Sequence, residues 1–230
     1  MIKINKMEKN RNKEFFFNKL YHLLFSEKFS KKINYNFDKK NRLDLIDFVI
    51  KKNKYKKYLE IGCNQDEVFK KIDIDKIGVD PLNGGNFRGT SDDFFIKNSD
   101  KFDCIFIDGL HIYDQVIKDI LNSIKVLNEN GIIILHDCLP SSIGHQRVPR
   151  TRYNWNGDVW KAIVEARTWN NFDTFTILVD QGLGIIKKRK NPNILDIRNS
   201  SFKNLKFKFF YNNYKEIMRT VSFNDGIEMI

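Results

Sequence analysis

Two short stretches put acids and imidazoles side by side. FIDGLH, residues 106–111, ends an apolar run in Asp108 and reaches His111 three residues later. LHDC, residues 135–138, ends another run in His136 and Asp137. A carboxylate beside an imidazole can take the proton from a hydroxyl, and the same atoms can bind a divalent ion such as Mg²⁺ or Mn²⁺. Three other stretches carry lone candidates. YLEIG (58–62) offers Glu60 and Gly62, IGVD (77–80) offers Asp80, and TSDD (90–93) offers Ser91 and Asp92. A glycine lets a ligand approach the backbone. A strand-terminal carboxylate has two oxygens for the two hydroxyls of a ribose. Each of these three stretches, taken alone, reads equally well as a turn or a helix cap; the cap would fall on Ser91 or Asp92.

Such residues need a scaffold that delivers them to one edge. Short apolar runs at 58–62, 76–80, 103–108 and 131–137 end in an acid or glycine and do not alternate strictly, as parallel strands covered on both faces do. A turn after 62 is expected to open a helix, and Asn130-Gly131 to turn the chain into the 131–137 strand. Between the last two runs, Tyr113, Val116, Ile117, Ile120, Leu121, Ile124 and Leu127 recur at helical spacing. Helices are also expected at 15–29, 42–52 and 158–167, and around 203–221. Residues 1–14 should fray. A hairpin is expected over 172–188. The loop 138–156 is long for a compact α/β domain, so it is either disordered or a lid over a site, and its His145, Arg147, Arg150, Arg152, Tyr153 and Trp155 suit an anionic or glycan substrate. Trp160 is expected in the core.

Composition removes other classes. The chain has 230 residues, 41% of them hydrophobic, which is a globular balance. Its 40 Lys and Arg against 29 Asp and Glu give a formal charge of +11. The lysines are scattered rather than gathered in a stripe, which disfavours a nucleic-acid partner. Cys63, Cys104 and Cys138 are odd in number and lack CxxC spacing, against disulfides or a zinc knuckle. FFFNKLYHLLF (15–25) is too short and too interrupted for a signal or a membrane span. A cytoplasmic protein without a membrane partner is the expectation. The GxGxxG fingerprint is absent, and Asp66 and Glu67 would repel a pyrophosphate, so a dinucleotide is disfavoured.

Taken in order, EIG, VD, TSDD, FIDGLH and GIIILHDCLP resemble class I S-adenosylmethionine-dependent methyltransferases, and most of all a small bacterial group with FIDGLHxYxQV, LHDCLP and GDVWKA motifs. The resemblance spans about residues 42–190. It implies a three-layer Rossmann-like doubly wound α/β sheet of about seven strands, mostly parallel, with an antiparallel last strand and a short third strand near 85–90. It implies helical extensions at 1–41 and 191–230 around a methyltransferase domain at 42–190. Glu60 and Gly62 would contact the methionine end of S-adenosylmethionine, Asp80 its ribose, Ser91 and Asp92 its adenine, and Asp108 would border the same cofactor. The first motif of the family has a second glycine where this chain has Asp66 or its neighbours.

The chain is also similar to metal-dependent sugar O-methyltransferases. That similarity implies Asp108 and Asp137 as metal ligands, with His136, where that family has a carboxylate, as a third ligand, and His111 as general base. The expected acceptor is a small molecule, a sugar or an anion, and a homodimer is compatible with it. The alternatives are a cofactor-binding interaction module without catalysis, using the aromatic C-terminal helix as its surface, and, ranked last, a nucleic-acid methyltransferase.

Overall fold

The computed structural model describes residues 2–197 and 201–230. Helix α1 (Ile2–Phe25) comes first. It starts far earlier than the expected 15–29 and ends sooner, because the Lys, Met, Glu and Arg of residues 2–14 are good helix formers and do not fray. An extended segment follows, and then α2 (Arg42–Asn53), which opens on a capping box. The Asn41 side chain accepts from the backbone N–H of Asp44, and the Asp44 side chain accepts from that of Asn41.

Eight strands form one sheet in the order β3-β2-β1-β4-β5-β7-β6-β8. They are β1 (Lys57–Ile61), β2 (Asp75–Asp80), β3 (Phe87–Arg88), β4 (Phe102–Ile107), β5 (Leu127–Leu135), β6 (Phe172–Ile177), β7 (Leu183–Lys188) and β8 (Thr220–Val221). β7 is antiparallel to both β5 and β6; every other pairing is parallel. The expected Rossmann-like sheet is therefore present, with the short third strand and the 172–188 hairpin in place. The additional strand β8 is two residues long. The strand order reverses between β1 and β4, and in such sheets ligands bind in the crevice beyond the carboxyl ends at that point.

β4 shows why both faces are covered. Ile105 and Ile107 belong to one apolar cluster and Cys104 and Phe106 to the other, as alternation along a strand requires; Phe102, before the register shift against β5, joins Ile105 and Ile107. One face carries α3 (Ser91–Lys97), α4 (Tyr113–Val126), α6 (Val159–Ala166) and α7 (Phe207–Ile217). The other carries α2 and α8 (Phe223–Met229). Trp160 is fully buried, as expected, and its Nε1–H donates to Gln146 Oε1 at 2.8 Å.

Three local expectations need correction. No α-helix follows β1, only turns and a 3₁₀ turn at Phe69–Lys71, because Asn64 and Asp66 adopt positive φ (47° and 62°) and break the helical path. Asn130-Gly131 is not a turn into β5. That strand already starts at Leu127, and its register against β4 slips between the Phe102–Leu127 and Cys104–Ile132 pairs, so the dipeptide lies in a bulge. Finally, the aromatic C-terminal helix is not a free partner surface. Phe207 and Phe210 of α7 are fully buried, and Phe29 packs on Phe207 and Tyr211.

Candidate active site

Backbone pairing brings the two acid–imidazole stretches together. β4 and β5 are parallel neighbours ending at Ile107 and Leu135, which pair with each other. The Asp108 N–H donates to the Ile61 carbonyl and the His136 N–H to the Ile107 carbonyl, so both candidates leave the sheet at the switch-point edge. Asp137 holds a φ of 61°, a left-handed conformation that Asp tolerates better than most residues.

Residues 155–158 aim His111. The Asp158 N–H donates to its carbonyl, and Gly157 lies so close that a Cβ there would fall 1.7 Å from the same oxygen. Glycine is the residue that position accepts, and its φ is +62°. The Trp155 ring stacks on the imidazole with centroids 5.5 Å apart, and the Arg150 guanidinium lies 5.7 Å from the centre of that indole. The 138–156 segment is therefore a folded cap over His111. It contains α5 (Ile143–Gln146), and its Thr151 and Asn156 are buried.

The side chains form a closed electrostatic network. His111 Nε2 lies 3.2 Å from Asp108 Oδ1, and His111 Nδ1 lies 3.1 Å from both Asp137 Oδ2 and the Trp155 carbonyl. His136 Nδ1 lies 3.2 Å from Asp108 Oδ1 and 3.3 Å from Asp137 Oδ2. The His136 Nε2 atom is buried without a hydrogen bond, although Asp180 Oδ1 is 3.5 Å away. Asn156 donates to Asp137 Oδ1 at 2.9 Å. Arg42, the first residue of α2, closes the far side, with Nη1 2.7 Å from Asp108 Oδ2 and Nε 2.8 Å from Asp180 Oδ2.

Titration follows from this crowding. Burial alone would raise the Asp108 carboxyl, but His136 and His111 outweigh it and hold Asp108 well below the usual carboxylate range. Burial would likewise raise Asp180, and His136 and Arg42 lower it instead. Burial opposes the charged form of both imidazoles, yet Asp108 and Asp137 raise His111, and Asp108 raises His136 further. Three carboxylates thus face one guanidinium and two imidazoles. Two imidazolium charges would balance the set. So would one divalent cation with both rings neutral.

The donor set fits such a cation. One ligand atom each from Asp108, His111 and Asp137 lie within 4.8 Å of one another. That trio has His111 in place of the expected His136; His136 Nδ1 also lies beside both carboxylates, 3.2 Å from Asp108 Oδ1 and 3.3 Å from Asp137 Oδ2.

The β1–β2 edge is built differently. Glu60 is 2% exposed, and its Oε2 accepts from the Tyr58 hydroxyl at 2.7 Å; burial pushes its carboxyl up to about 8. Gly62 sits where a Cβ would strike the Asp108 carbonyl at 2.2 Å, so its missing side chain serves the close approach of β1 to β4. Asp80 Oδ1 accepts the N–H groups of Leu82 and Asn83, and its Oδ2 accepts that of Asn64. These three donors outweigh burial and lower its pKa. Only Oδ2 keeps an unused lone pair for a hydroxyl.

Ser91 and Asp92 begin α3, but Thr90, not either of them, is the cap: its hydroxyl accepts from the Asp93 N–H. Gln115 of α4 reaches Ser91 at 3.2 Å and Asp92 at 3.3 Å, and Lys118 pairs with Asp92. The structure therefore gathers Asp108, His111, His136 and Asp137 into one cluster. It places Glu60, Gly62 and Asp80 along the same sheet edge, and Ser91 and Asp92 on the α3–α4 seam.

Sequence reasoning missed Arg42 and Asp180. Asp180 had a signal, since it ends the ILVD run as Asp80 ends IGVD. Arg42 had none: it meets Asp180 across 138 residues of chain.

Residues 50–138 match the model of a family described as a methyltransferase domain. That span holds Glu60, Gly62, Asp80, Ser91, Asp92, Asp108, His111, His136 and Asp137; Arg42 and Asp180 lie outside it. No curated protein matches the chain by sequence. Among solved structures, a putative O-methyltransferase from Klebsiella pneumoniae is similar at 12% identity and a TM-score of 0.52, over 77% of this chain and 89% of that one. The O-methyltransferase TomG from Streptomyces achromogenes, in complex with SAM, is similar at 11% identity and a TM-score of 0.50, over 64% of this chain and 79% of that one. At such identities the fold is what is shared.

Proposed function

We propose that the chain is an S-adenosylmethionine-dependent methyltransferase that methylates a hydroxyl oxygen of a small molecule or sugar. The observation that carries this reading is the Asp108–His111–Asp137 cluster beside the sheet's switch point. The neighbours described as O-methyltransferases, one of them holding SAM, agree with it.

S-adenosylmethionine, when bound, supplies an electrophilic methyl carbon on a cationic sulfur. The residues fit it at the β1/β4 crevice: Asp80 keeps an acceptor position on Oδ2, Asp108 puts a carboxylate beside the region where positive charge would lie, and Glu60, protonated up to about pH 8, would border the methionine end as a neutral group. Ser91 and Asp92 would border the adenine.

His111 is the general base in this reading. Asp137 and the Trp155 carbonyl accept from Nδ1–H and so fix the tautomer. Nε2, once an entering acceptor displaces its 3.2 Å contact with Asp108 Oδ1, then takes the proton of the acceptor hydroxyl. Because the pKa of His111 is raised above 6.5, the neutral ring and turnover increase with pH through a midpoint above that value.

A divalent ion would be held by Asp108, Asp137 and His111, where it would acidify an acceptor hydroxyl. That role competes with base action for the same imidazole. The test is a methyl-transfer assay against a panel of hydroxyl acceptors, with and without chelator. Turnover should survive chelation within about twofold. Turnover lost with chelator and restored by Mg²⁺ or Mn²⁺ would make His111 a ligand and not the base. Cofactor binding without turnover on any acceptor would favour the non-catalytic module, a reading to which the three backbone donors already on Asp80 lend weight.

A further inference from the structure

α1 has two unlike faces. Phe15, Asn18 and His22, at i, i+3 and i+7, face the protein. Phe15 packs edge-on against Tyr153, Asn18 donates to the Arg150 carbonyl at 2.8 Å, and His22 Nε2 lies 2.7 Å from the Pro149 carbonyl. These contacts fix the orientation of the helix. The opposite face presents Phe16, Phe17, Leu20, Leu23 and Leu24, all between 48% and 65% exposed, and Phe25 at the helix end is 73% exposed. Phe16, Leu20 and Leu23 follow at i, i+4 and i+7, with Phe17 and Leu24 beside them, so they form one continuous ridge rather than scattered apolar residues.

The rim of the ridge is basic. Within residues 10–32, Arg11, Lys13, Lys19, Lys28, Lys31 and Lys32 are all exposed. The only acids in that span are Glu14 and Glu27, and Glu27 is engaged, its carboxylate accepting from the Phe207 and Lys208 N–H groups. A second copy docking ridge to ridge would bring two such cationic rims together. An anionic surface would be attracted by the same charges. No helix among the described residues is long and apolar enough to cross a membrane. An apolar ridge with a cationic rim on a helix that cannot span is the arrangement that lies in a lipid interface.

We propose that α1 docks this protein peripherally onto an anionic lipid surface, with the Phe16–Leu24 ridge inserted among the headgroups and the lysines over them. This departs from the expectation of no membrane partner. It is independent of the methyl-transfer reading.

The test is flotation of the full chain with unilamellar vesicles of phosphatidylcholine alone and of phosphatidylcholine with phosphatidylglycerol in equal parts. Two variants accompany it: the triple variant Phe16→Ser, Leu20→Ser, Leu24→Ser, and the double variant Lys13→Glu, Lys19→Glu. Circular dichroism checks that each keeps its helix content, and sedimentation velocity reads the oligomeric state. The parent should float with the anionic vesicles and less so as salt rises. The triple variant should bind at least about tenfold more weakly. The double variant should lose its preference for phosphatidylglycerol. If the parent does not float with anionic vesicles, or the folded triple variant floats as well as the parent, the proposal is overturned. It is equally overturned by a parent dimer that the triple variant dissolves, since the ridge would then belong to a second copy.

Discussion

The two halves of the sheet's carboxyl edge use the same residue types for different ends. At the β1–β2 side the acids fold the backbone. Asp80 gathers three N–H groups from two loops, Asp66 accepts from the Gly85 N–H at 2.6 Å, and Glu60 is tied to a tyrosine on its own strand. At the β4–β5 side the acids face ionisable side chains. Asp108 has His111, His136 and Arg42 within 3.2 Å, and Asp137 has both imidazoles within 3.3 Å. An acid satisfied by fixed backbone donors builds a loop. An acid satisfied by groups that can lose a proton or be displaced by a ligand can take part in chemistry.

If that contrast is correct, substitutions on the two sides should fail in different ways. The largest effect is expected at His111. His111→Ala should lower turnover by about 10²- to 10⁴-fold while leaving cofactor affinity within about threefold, because proton removal and not binding is lost. Steady-state kinetics with a binding titration read the two apart, and turnover near the parent's would remove His111 from the mechanism.

Next comes Glu60. Its folded pKa of about 8 exceeds its ordinary 4.5, so the folded state holds a proton that the unfolded chain releases between those values. Its contribution to stability is present at low pH and declines as pH rises from about 4.5 through 8, by up to about 4 kcal/mol. The raised imidazoles of His111 and His136 add a decline of the same sign above 6.5. Glu60→Gln keeps an acceptor for Tyr58 and removes the glutamate part. Its melting temperature without cofactor should fall less between pH 5 and pH 8 than the parent's. An unchanged slope would mean that Glu60 is not protonated in the fold.

The smallest of the three is Asp80→Ala. It leaves the Asn64, Leu82 and Asn83 N–H groups without their acceptor and should cost about 1–3 kcal/mol in a denaturant titration, together with cofactor affinity. A loss of affinity with unchanged stability would make Asp80 a ligand group first and a loop builder second, narrowing the contrast.

Sequence legibility followed the range of the interactions. CIFI as a buried strand, the helix from Tyr113, and the two acid–imidazole ends rest on local periodicity and a known edge geometry, and the structure has them. The α3 cap moved from Ser91 or Asp92 to Thr90 because Asp93 completes a reciprocal box with the threonine. The helix expected after β1 gave way to two residues with positive φ, and a strand bulge replaced the expected turn at Asn130-Gly131. Arg42 was invisible because its role exists only where the start of α2 meets the β6–β7 turn and the end of β4. The convergence on Asp108, His111 and Asp137 depends on the angle that Gly157 and Trp155 impose on one ring, which spacing does not encode.

Cofactor binding is most directly tested by isothermal titration of the full chain with S-adenosylmethionine, alongside Asp80→Ala. Saturable one-to-one binding in the micromolar range, weakened in the variant, is the predicted result. Absence of heat up to high micromolar cofactor, or identical binding by parent and variant, would contradict it.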